Sequence, residues 1–220
     1  VSGYLKNYRV NISGQGVSLK GSLAKYFLPD NFHTLTRSDS ARAFEMMSDE
    51  LCLPIQKAKV NRIDFAQNFL MIYEPEAYYP YLGDCQYYQR QPTSNSLYYS
   101  NTLRQKLFYN KIAEGKKRGL TLPEVWNSQN VLRYEMRFTS RLPKQFNKAE
   151  VTASSLSDEK FYMAVFDKWL TEYDAINKLN SINFNLSVMN SPKDFWKQMN
   201  LMAISVIGQD KIIEEVENLR

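Results

Sequence analysis

The chain has 220 residues, 44% hydrophobic and 14% aromatic, which excludes a disordered tail and leaves room for one large domain or two small ones. Its 28 Lys and Arg against 23 Asp and Glu give +5, a modest basic excess that favours a polyanionic partner without requiring one. One histidine, His33, and two distant cysteines, Cys52 and Cys85, exclude a His-rich zinc site, a Cys-x-x-Cys ribbon and a disulfide framework.

The cysteines read as two buried thiols, and His33, in D-N-F-H-T, as a loop or capping residue. Any metal must then lean on oxygen ligands, which points to Mg²⁺ or Mn²⁺ rather than zinc. No apolar run approaches the ~20 residues of a membrane span, so no membrane partner is expected. The start Val1-Ser2-Gly3 has no signal-peptide pattern and no methionine, which suggests a piece of a longer protein.

In chain order, two strands flank a Ser13-Gly14-Gln15-Gly16 turn. Ser38 or Ser40 is positioned to cap a helix running to Leu51, with Phe44, Met47 and Leu51 inward. V-N-R-I-D-F-A-Q-N-F reads as a strand with Arg62, Asp64, Ala66 and Asn68 on one face and Ile63, Phe65 and Phe69 on the other. The Tyr- and Pro-rich stretch from Tyr73 to Tyr99 reads as loop, short helix and strand. In K-L-F-Y-N-K, extended backbone points Tyr109 and Lys111 the same way, and Gly115 and Gly119 bracket a basic turn of Lys116, Lys117 and Arg118. V-L-R-Y-E-M-R-F places Arg133, Glu135 and Arg137 opposite Leu132, Tyr134, Met136 and Phe138, in a strand ending at Pro143.

From Ser157 the pattern turns helical. Phe161, Tyr162, Val165, Phe166, Trp169, Leu170 and Tyr173 mark one face, and Ser191-Pro192-Lys193-Asp194 opens a helix that stops at Gly208. A last charged helix covers Lys211 to Asn218. The expected class is α+β: an antiparallel sheet with packed helices in residues 1–150, then a helical part, 151–220, packed on the same domain.

Each polar face has a plain alternative. Arg-x-Glu-x-Arg is a self-screening surface row, Tyr109 is one of 15 tyrosines, and a Lys-Lys-Arg run is most simply a solvated turn. Tyr87, Tyr88, Tyr98 and Tyr99 could stack on unpaired bases, although packing against the sheet is their commoner use. Should the three strands share one sheet, however, their polar faces would gather a phenol, a lysine, two acids and several arginines. That kit suits metal-assisted attack on a phosphodiester.

At these strands the sequence resembles the replication initiators of filamentous phages, the gene II type, and related rolling-circle plasmid initiators. V-N-R-I-D-F-A-Q-N-F resembles the family's Arg-x-Asp-x-Ala strand, L-F-Y-N-K-I-A-E its Tyr-x-Lys-x-x-Glu block, and L-R-Y-E-M-R-F-T-S-R-L-P-K-Q-F its Arg-[Phe/Tyr]-Glu-x-Arg strand and basic segment. K-G-S-L-A-K-Y-F is similar to the stretch preceding the first helix, and the blocks together span residues 20 to 146. The resemblance implies Tyr109 as nucleophile assisted by Lys111. It implies Asp64 and Glu135, with Glu114, as ligands of Mg²⁺ or Mn²⁺, and Arg62, Arg133, Arg137, Lys116, Lys117 and Arg118 as DNA contacts. Asn68 stands where plasmid members carry a second acid, which leaves Glu114 or His33 to replace it. The implied activity is nicking and rejoining of one origin strand, single-stranded or locally melted, in the cytoplasm of a bacterial host and beside a host helicase. A non-catalytic origin-recognition module on the same scaffold, or a mobilisation relaxase, stays open.

Overall fold

A computed structural model describes residues 1–126, 128–179 and 191–218. The chain opens with a meander, β1 (Ser2–Leu5), β2 (Tyr8–Ser13) and β3 (Gly16–Lys20), turning at the expected Gly14-Gln15 pair. A short helix, α1 (Leu23–Phe27), and then α2 (Arg37–Leu51) follow. Thr36, not Ser38 or Ser40, caps α2: its hydroxyl accepts from the Asp39 amide and Asp39 accepts back, a reciprocal box that satisfies two orphan donors. Ser40 is already inside the helix, its hydroxyl turned to the Thr36 carbonyl. Cys52 ends α2 in a left-handed conformation and is exposed, so only Cys85 is the buried thiol expected of both.

The main sheet has five antiparallel strands in the order β4 (Ile63–Met71), β9 (Asn130–Phe138), β8 (Arg104–Asn110), β7 (Ser96–Ser100) and β6 (Gln89–Pro92). Between β4 and β6 the chain makes two 3₁₀ turns and β5 (Leu82–Cys85), which pairs instead with β10 (Ile176–Lys178). Tyr88 and Tyr99 turn into the protein, Tyr99 donating to the Leu82 and Gly83 carbonyls, whereas Tyr87 is exposed.

Between β8 and β9 the expected basic turn is instead a helix, α3 (Lys111–Lys117), with Asn110 capping the Ala113 amide. Gly115 leaves room there for Leu122 and Phe32, which a β-carbon would approach to 2.8 and 3.2 Å. β9 stops at Phe138, and Pro143 belongs to the first turn of α4 (Leu142–Gln145).

One face of the sheet is apolar. Tyr134, Met136, Phe138, Phe108, Leu97 and Tyr99 are buried there beneath α5 (Glu159–Asp174), which contributes Phe161, Val165 and Trp169 to the same core. Phe108 stacks on Tyr134 at 4.6 Å between centroids, and Tyr134 meets Trp169 at 4.8 Å, so the rings tie helix to sheet. Leu170, expected inward, is exposed. α6 (Pro192–Ile207), capped by Ser191, and α7 (Gln209–Asn218) follow, joined at Gly208. Among the described residues no helix is long and apolar enough to cross a membrane. The antiparallel sheets and packed helices make the chain α+β.

Candidate functional site

The other face of the main sheet is a polar lattice fixed by register. Antiparallel pairing sets Asn68, Arg133 and Tyr109 in one row, Ala66, Glu135 and Leu107 in the next, and Asp64, Arg137 and Gln105 in the third. Residues far apart in sequence therefore meet, because opposed residues share a face and period two carries each row along its strand.

At the centre the Tyr109 hydroxyl donates to Glu135 Oε2 at 3.1 Å. Arg137 Nε donates to the other oxygen, Oε1, at 2.6 Å, and Arg133 Nε lies 3.7 Å from Oε2. Burial alone would raise the Glu135 carboxyl, but Arg137 and Arg133, with the donated phenol, hold it below the usual carboxylate range. Tyr109 moves the other way. Burial pushes its phenol well above the ordinary tyrosine value, the Arg133 guanidinium pulls against that, and the Glu135 carboxylate adds to it. The resting pair is thus a neutral phenol donating to an anionic carboxylate, with a cation at hand for a phenolate.

Asp64 stands at the rim. Arg62 grips it with two hydrogen bonds of 2.7 and 2.8 Å, and Arg137 Nε reaches it at 3.9 Å. Asp64 and Glu135 thus flank one guanidinium. Among the described residues no three His, Cys, Asp or Glu side chains gather into a metal-binding cluster. The pair still suits a hard cation, since Mg²⁺ and Mn²⁺ are commonly held by one or two carboxylates completed by substrate phosphate and water. Arg137 occupies the position between the acids and would have to yield.

Glu114 and Lys111 sit beside this centre without joining the hydrogen bonds at Tyr109. Glu114, in α3, binds Lys111 at 2.7 Å and Arg118 at 2.6 Å, and its charge also reaches Tyr109, raising the phenol further. Lys111 does not share the Tyr109 row, because the strand ends at Asn110 and the alternation ends with it. Its ammonium is fully buried, donates to Asn31 Oδ1 at 2.9 Å and sits 4.7 Å from the Phe32 ring centroid; burial lowers its pKa. The cation beside Tyr109 is Arg133. Lys116 and Lys117 are exposed on the last turn of α3 with no carboxylate partner among the described residues.

Three further participants were not among the residues expected from the sequence. The Asn31 carbonyl accepts from Arg133 Nη1 at 2.8 Å, and the Phe32 carbonyl from Asn68 Nδ2 at 3.2 Å. Asn68 Oδ1 in turn accepts from Arg133 at 3.2 Å, so this amide anchors the arginine instead of supplying a carboxylate. Gln105 accepts from Arg137 at 2.9 Å. His33 stays in the loop, paired with Asp30 at 3.0 Å. Backbone carbonyls have no residue signature, and Gln105 could have been found only by extending the alternation of Tyr109 back along its strand.

In comparison with known sequences, the family described as phage replication-associated protein, gene II protein N-terminal, matches residues 5–170. No curated protein and no solved structure matches the chain.

Proposed function

The chain belongs to this replication-associated family, and on that footing we propose that it is a rolling-circle initiator that nicks one DNA strand through Tyr109. The observation that carries the reading is the 3.1 Å hydrogen bond between the Tyr109 phenol and Glu135, with Arg133 alongside.

In this reading Tyr109 Oη attacks the scissile phosphorus and its proton passes to Glu135 Oε2. The phosphorus–3′-oxygen bond breaks, the 3′ oxygen leaves and takes up a proton, and a 5′-phosphotyrosyl bond remains. The new link is itself a phosphodiester, so the strand can be rejoined without an external energy source. Arg133 stabilises the phenolate as it forms, and Asn31 and Asn68 hold that guanidinium in place. A Mg²⁺ or Mn²⁺ ion held by Asp64 and Glu135 would polarise the phosphate and offset charge on its oxygens. Arg62 and Arg137, released from the acids, would face the same phosphate. Lys116 and Lys117 meet the DNA backbone, as their exposure favours.

The test is incubation with single-stranded origin oligonucleotides and Mg²⁺ or Mn²⁺, followed by denaturing electrophoresis. A covalent protein–DNA adduct that Tyr109→Phe abolishes is expected. Binding without cleavage on cognate DNA would instead establish a non-catalytic origin-recognition module, a reading favoured by the burial that keeps the phenol protonated.

A further inference from the structure

A second basic site lies where β8 begins and β9 ends, at the paired residues Arg104 and Phe138. Leu103, Arg104, Arg141, Lys144, Gln145 and Lys168 line a cleft of about 230 Å³ there. Four of the six are cationic. Glu172 is the carboxylate within electrostatic reach of Lys168, and it already holds Arg104, Lys106 and the Tyr88 hydroxyl. Among the described residues Lys168 donates to the Gln145 carbonyl, at 3.2 Å, and its ammonium lies 5.8 Å from the Phe146 ring centroid. Burial lowers its pKa, Arg104 adds to the effect and Glu172 works against it. Arg141 and Lys144 are exposed and have no side-chain partner among the described residues. Arg141 is also held at φ 51°, a left-handed backbone that non-glycine residues seldom adopt.

Such a concentration of cations repels itself unless an anion covers it. The cleft is smaller than the ~300–1,000 Å³ of small-molecule pockets, so it suits one oxyanion on a larger molecule better than an enclosed ligand. Arg104 is an odd number of residues before Tyr109 on the same strand, so it points to the face that α5 covers, where it meets Glu172, and the cleft opens at the end of the sheet.

We propose that the cleft between α4 and α5 holds a backbone phosphate of the DNA strand where that strand passes the end of the sheet. The proposal rests on the DNA reading above and adds a second anchor outside the reacting centre.

Phosphate contacts are indifferent to sequence, so an oligothymidylate of about 30 nucleotides suffices as probe. Its binding is followed by fluorescence anisotropy across a salt titration for the wild type, the double variant Arg141→Gln/Lys144→Gln and the charge-preserving Arg141→Lys/Lys144→Arg. The neutral variant is expected to flatten the slope of log affinity against log salt by about 0.7 per lost contact and to weaken binding roughly tenfold near 0.1 M salt. The charge-preserving variant should keep most of both, and all three should melt alike. An unchanged slope in the neutral variant would overturn the cleft while leaving the Tyr109 reading intact. A wild type that binds no oligonucleotide would overturn both.

Discussion

Arg133 faces Tyr109 across the β8–β9 ladder, held by Asn31 and Asn68, which accept from one nitrogen, while its Nε lies 3.7 Å from Glu135 Oε2. Replacing it with glutamine removes the one influence that pulls the phenol down against burial and Glu135. Arg133→Gln is therefore expected to slow adduct formation tenfold or more, by roughly the loss of one oxyanion donor, with lysine restoring part of it. The pH profile separates this from misfolding. Because Glu135 takes the proton and is already ionised, the rate should be level through neutrality and fall only as Glu135 gains a proton in acid. Wild type and variant should follow parallel profiles, the variant lower throughout at an unchanged melting temperature. Glu135→Gln tests the other half of the pair, since an amide keeps the hydrogen-bond partner but cannot take the proton. About a hundredfold loss in adduct yield with intact oligonucleotide binding is expected.

At the scale of elements, the site was legible wherever a strand carried chemistry on one face and core on the other. β4 and β9 alternate cleanly because their far faces, with Phe65, Tyr134 and Met136, sit against α5. The reading broke where a capping residue changed the geometry. Asn110 ends β8 and starts α3, which takes Lys111 out of the tyrosine's row; Thr36 outcompetes two serines because Asp39 completes its box. The apolar face also hides a charge that no pattern announces. Lys106 is fully buried within 2.9 Å of Glu172 Oε2, 2.6 Å of the Glu172 carbonyl and 3.1 Å of Cys85 Sγ. Glu172→Ala leaves that ammonium without its counter-ion, and breaking a buried pair from one side costs about 3–5 kcal/mol, a fall of roughly 2–4 °C in melting temperature for each kcal/mol in a chain of this size. Burial would raise the Glu172 carboxyl, yet Lys106, Tyr88 and Arg104 hold it below the usual range. A carboxyl depressed on folding contributes stability that is complete above its unfolded value and fades as pH falls through the folded one. Wild-type melting temperature should accordingly drop below about pH 4.3, and Glu172→Ala should drop less steeply over that window.

For the molecule as a whole, the question is how much of the chain the catalytic sheet needs. The buried clusters described end at Ile176, which pairs with Cys85, and the Leu179 amide closes this ribbon on the Tyr81 carbonyl. The family match ends at residue 170, inside α5, whose Phe161, Val165 and Trp169 belong to the sheet's core. Among the described residues α6 and α7 contribute no member to those clusters; Leu201 in α6 is buried, whereas Trp196 and Ile207 are more than half exposed. We therefore propose that the fold separates after β10 more readily than at residue 150, where a cut would remove α5 and open the apolar face of the sheet. A chain ending at Leu179 is expected to unfold cooperatively within a few degrees of the full chain and to form the same Tyr109 adduct. One ending at Glu150 should show no cooperative melting transition. Loss of that transition in the longer truncation would mean that the two C-terminal helices are integral to the same packed unit.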